Sequence, residues 1–173
     1  MVIISLSITT KKMCTVLLAN QGIVSVGPWG GEGGNSFTEV PESGYGLSGM
    51  TIGYTDVLRS LIFHYTNADG ESYDSVKYGT NGAVIKQVLF KYPEEYITSI
   101  TITYGLHKNY TSTPLISRLA FKTTSDDYGP FGPLLPPDSD TTVTIPIERG
   151  RVVGFFGRAG DCIDALGIHI KPT

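Results

Sequence analysis

Charge and cysteine are what this sequence has least of, and both shortages narrow the field. Only 17% of its 173 residues are charged, the 13 Lys and Arg form no run longer than Lys11-Lys12, and the net charge is -3. No basic surface for nucleic acid or for an anionic membrane is expected from that balance. Two cysteines, Cys14 and Cys162, do not make a disulfide framework and read as free thiols in a reducing compartment. The three histidines, His64, His107 and His169, lie in separate segments, and no Cys or His stands near another at a zinc spacing. Gly160-Asp161-Cys162 also lacks the alternating acids of a calcium loop. No metal and no cofactor are therefore expected.

Long apolar runs are missing too. The N-terminal stretch MVIISLSITTKKMCTVLLAN has two apolar bursts, but Lys11-Lys12 splits them and follows the first burst instead of preceding it. Neither burst approaches the ~20 residues of a spanning helix, so no signal peptide and no membrane insertion are expected. Residence in the cytoplasm or nucleus follows as an expectation, with the sequon Asn109-Tyr110-Thr111 unused. Sustained apolar spacing at three and four residues is absent as well, which predicts no long helix.

Glycine and aromatic residues are abundant: 21 Gly, 10 Tyr and 7 Phe, with 10 Pro. That mixture favours many turns and β-prone segments. Short β-like runs recur at 23–26, 47–53, 57–65, 72–78, 84–90, 97–104, 115–122, 141–146, 152–156 and 162–170. Turn signals separate them, among them Asn67-Ala68-Asp69-Gly70, Gly79-Thr80-Asn81-Gly82 and Asp126-Asp127-Tyr128-Gly129-Pro130. The pattern predicts an all-β, mainly antiparallel single domain over residues 23–171, with residues 1–22 as an N-terminal extension. A faint repeat links Asp56-Val57-Leu58-Arg59-Ser60-Leu61, Glu95-Tyr96-Ile97-Thr98-Ser99-Ile100 and Asp161-Cys162-Ile163-Asp164-Ala165-Leu166. Three copies predict three similar sheets around one axis. The variable position is Arg59, Thr98 and Asp164 in turn, so only the last copy carries a carboxylate there.

Two glycine clusters, Gly27 to Gly34 and Gly154 to Asp161, could expose backbone N–H groups to a ligand. Neither is a phosphate cradle, because the Lys-Ser or Lys-Thr ending is missing and no helix pattern follows. No serine sits in a nucleophile elbow. Asp161 and Asp164 form the one acid pair that resembles a glycosidase site, yet three residues apart on a strand their side chains diverge. His64 and His169 fall in strand-like runs and read as satisfied sheet residues. What remains is one carboxylate beside exposed amides in a glycine-lined hollow, a combination suited to a neutral polyhydroxylated ligand.

These residues resemble the jacalin-related lectins, in particular the mannose-binding plant branch. Matching pieces are Gly27-Pro28-Trp29-Gly30-Gly31-Glu32-Gly33-Gly34, Tyr128-Gly129-Pro130-Phe131-Gly132, Ile145-Pro146-Ile147, and the stretch from Val153 to Gly167. The resemblance implies a β-prism of three four-stranded antiparallel sheets with pseudo-threefold symmetry. It implies a non-enzymatic protein that binds mannose- or glucose-containing glycans and glycoproteins, as a homodimer or higher homo-oligomer. By position, Gly34, Asp161 and Cys162 look like the backbone donors, with Gly160 in the same loop. Asp164 looks like the acceptor for two sugar hydroxyls. The uninterrupted Glu32-Gly33-Gly34, and the lack of aromatic residues at 161 and 162, point away from the galactose-binding branch. Residues 105–111 correspond to a third loop that shapes preference beyond the first sugar. A second pocket of some relatives uses an Asp where this chain has Arg59, and arginine has no acceptor. Two alternatives stay open: a glycoside-processing enzyme using Asp161 and Asp164, and a β-prism interaction module with a degenerate sugar site.

Overall fold

The computed structural model describes residues 22–173, and the predicted 1–22 extension, with Cys14, lies outside the described residues but for Gly22. Among the described residues thirteen strands form three antiparallel sheets. The first sheet runs β1 (Val24–Gly30), β13 (Ile163–Lys171), β12 (Arg151–Ala159), β2 (Asn35–Glu39). A second is built on the hairpin β3 (Tyr45–Tyr54) and β4 (Leu58–Asn67), with β7 (Val84–Leu89) beside β3. Its other outer position is shared by β5 (Ser72–Asp74) and β6 (Tyr78–Gly79), which pair with successive parts of β4. The third sheet runs β10 (Asp127–Phe131), β9 (Pro114–Thr123), β8 (Ile97–Leu106), β11 (Thr141–Pro146). Each sheet thus has four strand positions around a central hairpin.

Period-two alternation turns one face of each sheet inward. Met50, Ile52, Leu58, Leu61, Phe63, Ile100, Ile102, Ile116, Leu119, Phe155, Ile163 and Leu166 meet in one core drawn from all three sheets. Phe63 and Phe155 stack across two of them with centroids 4.7 Å apart. Prism geometry follows from this: three half-apolar sheets cover each other's inner faces and leave no layer unpaired.

Among the outer strands, β7 and β11 match the runs expected at 84–90 and 141–146, and others depart from the expected pattern. Residues 126–130 read as a turn, yet Asp127–Phe131 is β10, paired with β9 through Asp127↔Lys122 and Tyr128↔Phe121. Asn35–Glu39, outside the expected β-like runs, is β2 against β12, and the single run 72–78 is the two pieces β5 and β6. These departing segments bury few side chains and carry turn-type residues, so the hydrophobic alternation that marks inner strands is weak in them. The last strand begins at Ile163, because Gly160 N–H bonds to the Cys162 carbonyl at 3.0 Å and makes 160–162 a turn.

The threefold relation also needs one correction. In each central hairpin the second strand carries a bulge near its start, where one residue is left without a partner: Arg59 on β4, Ser117 on β9 and Asp164 on β13. Gly79, Gly132 and Gly30, all with positive φ, sit against the carbonyls of those three residues in turn. Two residues before each bulge, Val57, Leu115 and Cys162 pack together. The third copy of the repeat is therefore Pro114-Leu115-Ile116-Ser117-Arg118-Leu119, not the segment from Glu95. Glu95 to Ile100 opens β8, the first strand of its hairpin, and so stands at the opposite end of the prism.

Candidate functional site

Asp164 owes its place to the bulge. An extra residue in β13 bends the strand beside the loop that joins β1 to β2. The residue is 5% exposed, and its carbonyl accepts from Gly31 N–H at 2.8 Å, which ties the loop to the strand. A side-chain carbon on Gly33 or Gly34 would overlap the carboxylate itself. At Gly160 it would come 3.4 Å from Gly34 Cα and 3.7 Å from Asp164 Oδ2. Gly34 also has φ +61, in the left-handed region. Glycine is needed here because backbone approaches a buried charge more closely than any side chain permits.

Arg158, on β12, holds the same loop from behind. Its Nε donates to the Gly33 carbonyl and its Nη2 to the Gly34 carbonyl, both at 2.7 Å. Burial pushes the Asp164 carboxyl above its ordinary value, while the Gly160 amide and the Arg158 charge pull it back. In its ionised form the group is an acceptor only. Among the described residues no protein acceptor takes the N–H of Gly34, Asp161 or Cys162.

Asp161 and Asp164 occupy different settings: one is exposed in the 160–162 turn, the other is buried on the strand. The expected divergence is observed, although its cause is the turn and bulge and not strand alternation. Cys162 turns its sulfur inward to Val57 and Leu115, and Arg59 Nη1 lies 3.3 Å from it. Burial raises its thiol pKa, partly offset by Arg59. Gly34, Gly160, Asp161, Cys162 and Asp164 lie together where the 160–162 turn meets the loop between β1 and β2. Arg158 and Thr80 bond to them without having been singled out, and Tyr110 lies beside Arg59. A single cation inside the apolar, glycine-rich VVGFFGRAG was the available signal for Arg158.

Residues 26–169 match the Jacalin-like lectin domain. The chain belongs to the jacalin-like lectin family. It is 37% identical over 153 residues to a mannose/glucose-specific lectin of Parkia pendula, covering 88% of this chain and 33% of the relative. A mannose-binding jacalin-related lectin from Ananas comosus superimposes with TM-score 0.75 at 30% identity, over 87% of this chain and 99% of that one. A mannose-specific jacalin-related lectin from Morus nigra, in complex with mannose, gives 0.76 at 27% identity, over 91% and 99%. The chain spans about a third of the length of the Parkia relative.

Within this lectin domain the three bulge positions have separate fates. Ser117 is fully buried and donates to Asp140 Oδ2 at 2.6 Å, with His107 Nε2 3.2 Å from the same oxygen. That face is closed by its own side chains. Arg59 is tied to neighbouring loops and offers no acceptor. Of the three bulge residues, Asp164 alone is itself a carboxylate, and it lies against glycine backbone. A cavity of about 370 Å³ lies at the other end of the prism, lined by Tyr45, Tyr92, Tyr96, Arg151 and Lys171, and shares no residue with this cluster. Among the described residues no group of three or more His, Cys, Asp or Glu is placed to hold a metal ion.

Proposed function

We propose that this chain is a lectin that binds mannose- or glucose-containing glycans at one pocket, formed by Gly34, Gly160, Asp161, Cys162 and Asp164. One observation carries the reading: a buried carboxylate is packed against glycines whose neighbouring amides have no acceptor within the described protein. A carboxylate accepts from two adjacent hydroxyls, and fixed N–H groups donate to their oxygens. Gly34, Asp161 and Cys162 act through backbone, Asp164 through its side chain, and Gly160 leaves room for the ring. The sugar specificities of the relatives from Parkia, Ananas and Morus support the ligand class.

Binding of a single sugar is weak, because each protein bond replaces a bond to water at small net gain. Assembly of two or more copies would raise avidity by ~10²-fold or more. Calorimetric titration with methyl mannoside, methyl glucoside and methyl galactoside tests the reading. The first two should bind with Kd on the order of 1 mM (about -4 kcal/mol) and the third far more weakly. Equal binding of the galactoside, or none of any, would reject it.

A further inference from the structure

Arg59 is the second-sheet counterpart of Asp164, and its contacts run toward the proposed sugar pocket. Its Nη2 donates to Thr80 Oγ1 at 2.7 Å, and the Thr80 hydroxyl donates to the Asp161 carbonyl at 2.7 Å. Its Nη1 reaches Cys162 Sγ at 3.3 Å. Its guanidinium stands 5.6 Å from the centre of the Tyr110 ring, and the Tyr110 hydroxyl donates to Asp56 Oδ2 at 3.2 Å. Four loops at one end of the prism are joined through this one side chain.

A trans peptide directs its C=O and its N–H to opposite sides. Fixing the Asp161 carbonyl toward Thr80 therefore turns the Cys162 N–H the other way. We propose that Arg59 is a positioning residue for the sugar pocket, holding the Asp161–Cys162 peptide through Thr80 and the Cys162 sulfur so that its N–H faces the ligand. The inference rests on the lectin reading above and adds to it. A position that in a two-site arrangement would serve a second sugar here supports the first. The gain is preorganisation: a glycine-bearing turn that is already held loses less freedom when ligand arrives. Val57 and Leu115 hold the same turn by packing, so the sheets do not depend on Arg59.

Arg59→Met keeps the stem and removes the donors; Thr80→Val breaks the relay from its other side. In ligand-free protein, backbone NMR order parameters at Asp161 and Cys162 should fall in both variants from about 0.85 toward about 0.6, while Leu166 in β13 stays unchanged. Affinity for methyl mannoside should fall roughly 10-fold, with Arg59→Lys intermediate because an ammonium lacks the fork that reaches both partners. Unchanged order parameters in both variants would overturn the proposal, as would a fall in melting temperature with mannoside affinity intact. Loosening of the turn in a protein whose wild type binds no mannoside would uphold the brace and overturn the lectin reading alone.

Discussion

Arg158 Nη2 donates to the Gly34 carbonyl at 2.7 Å, across the boundary between β12 and the loop that leads into β2. With the Gly33 carbonyl bonded to Nε of the same side chain, the peptide joining Gly33 to Gly34 has its oxygen turned to Arg158 and its N–H turned away. One cation thus sets the direction of a backbone donor and, through its charge, moderates the ionisation of Asp164.

Arg158→Gln removes that charge and should raise the Asp164 pKa further. On the proposed site the carboxylate receives the sugar hydroxyls, so affinity should fall as pH drops through its pKa, which burial raises above the ordinary aspartate value. Titrating methyl mannoside between pH 4 and 7 should show the midpoint displaced upward in Arg158→Gln. An unmoved midpoint would mean that the charge does not reach the carboxylate.

Asp164→Asn should reduce mannoside affinity on the order of 100-fold, since charge-assisted bonds to two hydroxyls are lost. Stability should move the other way. A carboxyl whose folded pKa is raised contributes stability in full below its unfolded pKa, and loses it as pH rises through the folded value. At pH 7 the asparagine variant should therefore melt no lower than wild type, and wild type should gain on it as the solution is acidified. Thermal melts at pH 7 and pH 4 decide this.

Gly34→Ala places a side chain at φ +61 and against the Asp164 carboxylate, and should cost about 1–2 kcal/mol from the backbone alone as well as most sugar binding. Gly44, with φ +88 and no atom within 4 Å of an added Cβ, is the control. Gly44→Ala should cost a similar amount and leave binding intact. Equal loss of binding in both would trace the effect to global unfolding and not to the pocket.

His169 bonds Ser25 Oγ at 2.8 Å and Thr38 Oγ1 at 2.9 Å, and stacks on Phe156. Burial lowers its pKa, so its contribution to stability is present above the unfolded histidine value and is lost as pH falls through the folded one. His169→Gln should flatten the fall in melting temperature between pH 8 and pH 5. A parallel fall in both proteins would assign the acid sensitivity to other groups.

The inner strands were legible because they alternate: Ile97 to Tyr104 and Leu115 to Lys122 show the period of a half-buried strand without any partner in view. The outer strands β2 and β10 were not, since Asn35–Glu39 and Asp127–Phe131 bury little and take their conformation from a neighbour's hydrogen bonds. The acid and the glycines of the proposed site were legible too, because residue type alone limits what such a cluster holds.

What the sequence determined by itself was composition and pattern: an all-β chain, two glycine clusters, and Asp164 as the one acid in its repeat position. Tertiary structure alone decided that Ser117 and not Thr98 is the third counterpart of Asp164, and that Arg158 and Arg59 brace the loops beside it. The reason is register. A one-residue bulge chooses which side chain leaves the ladder, and that choice depends on how two strands pair, which neither strand encodes alone.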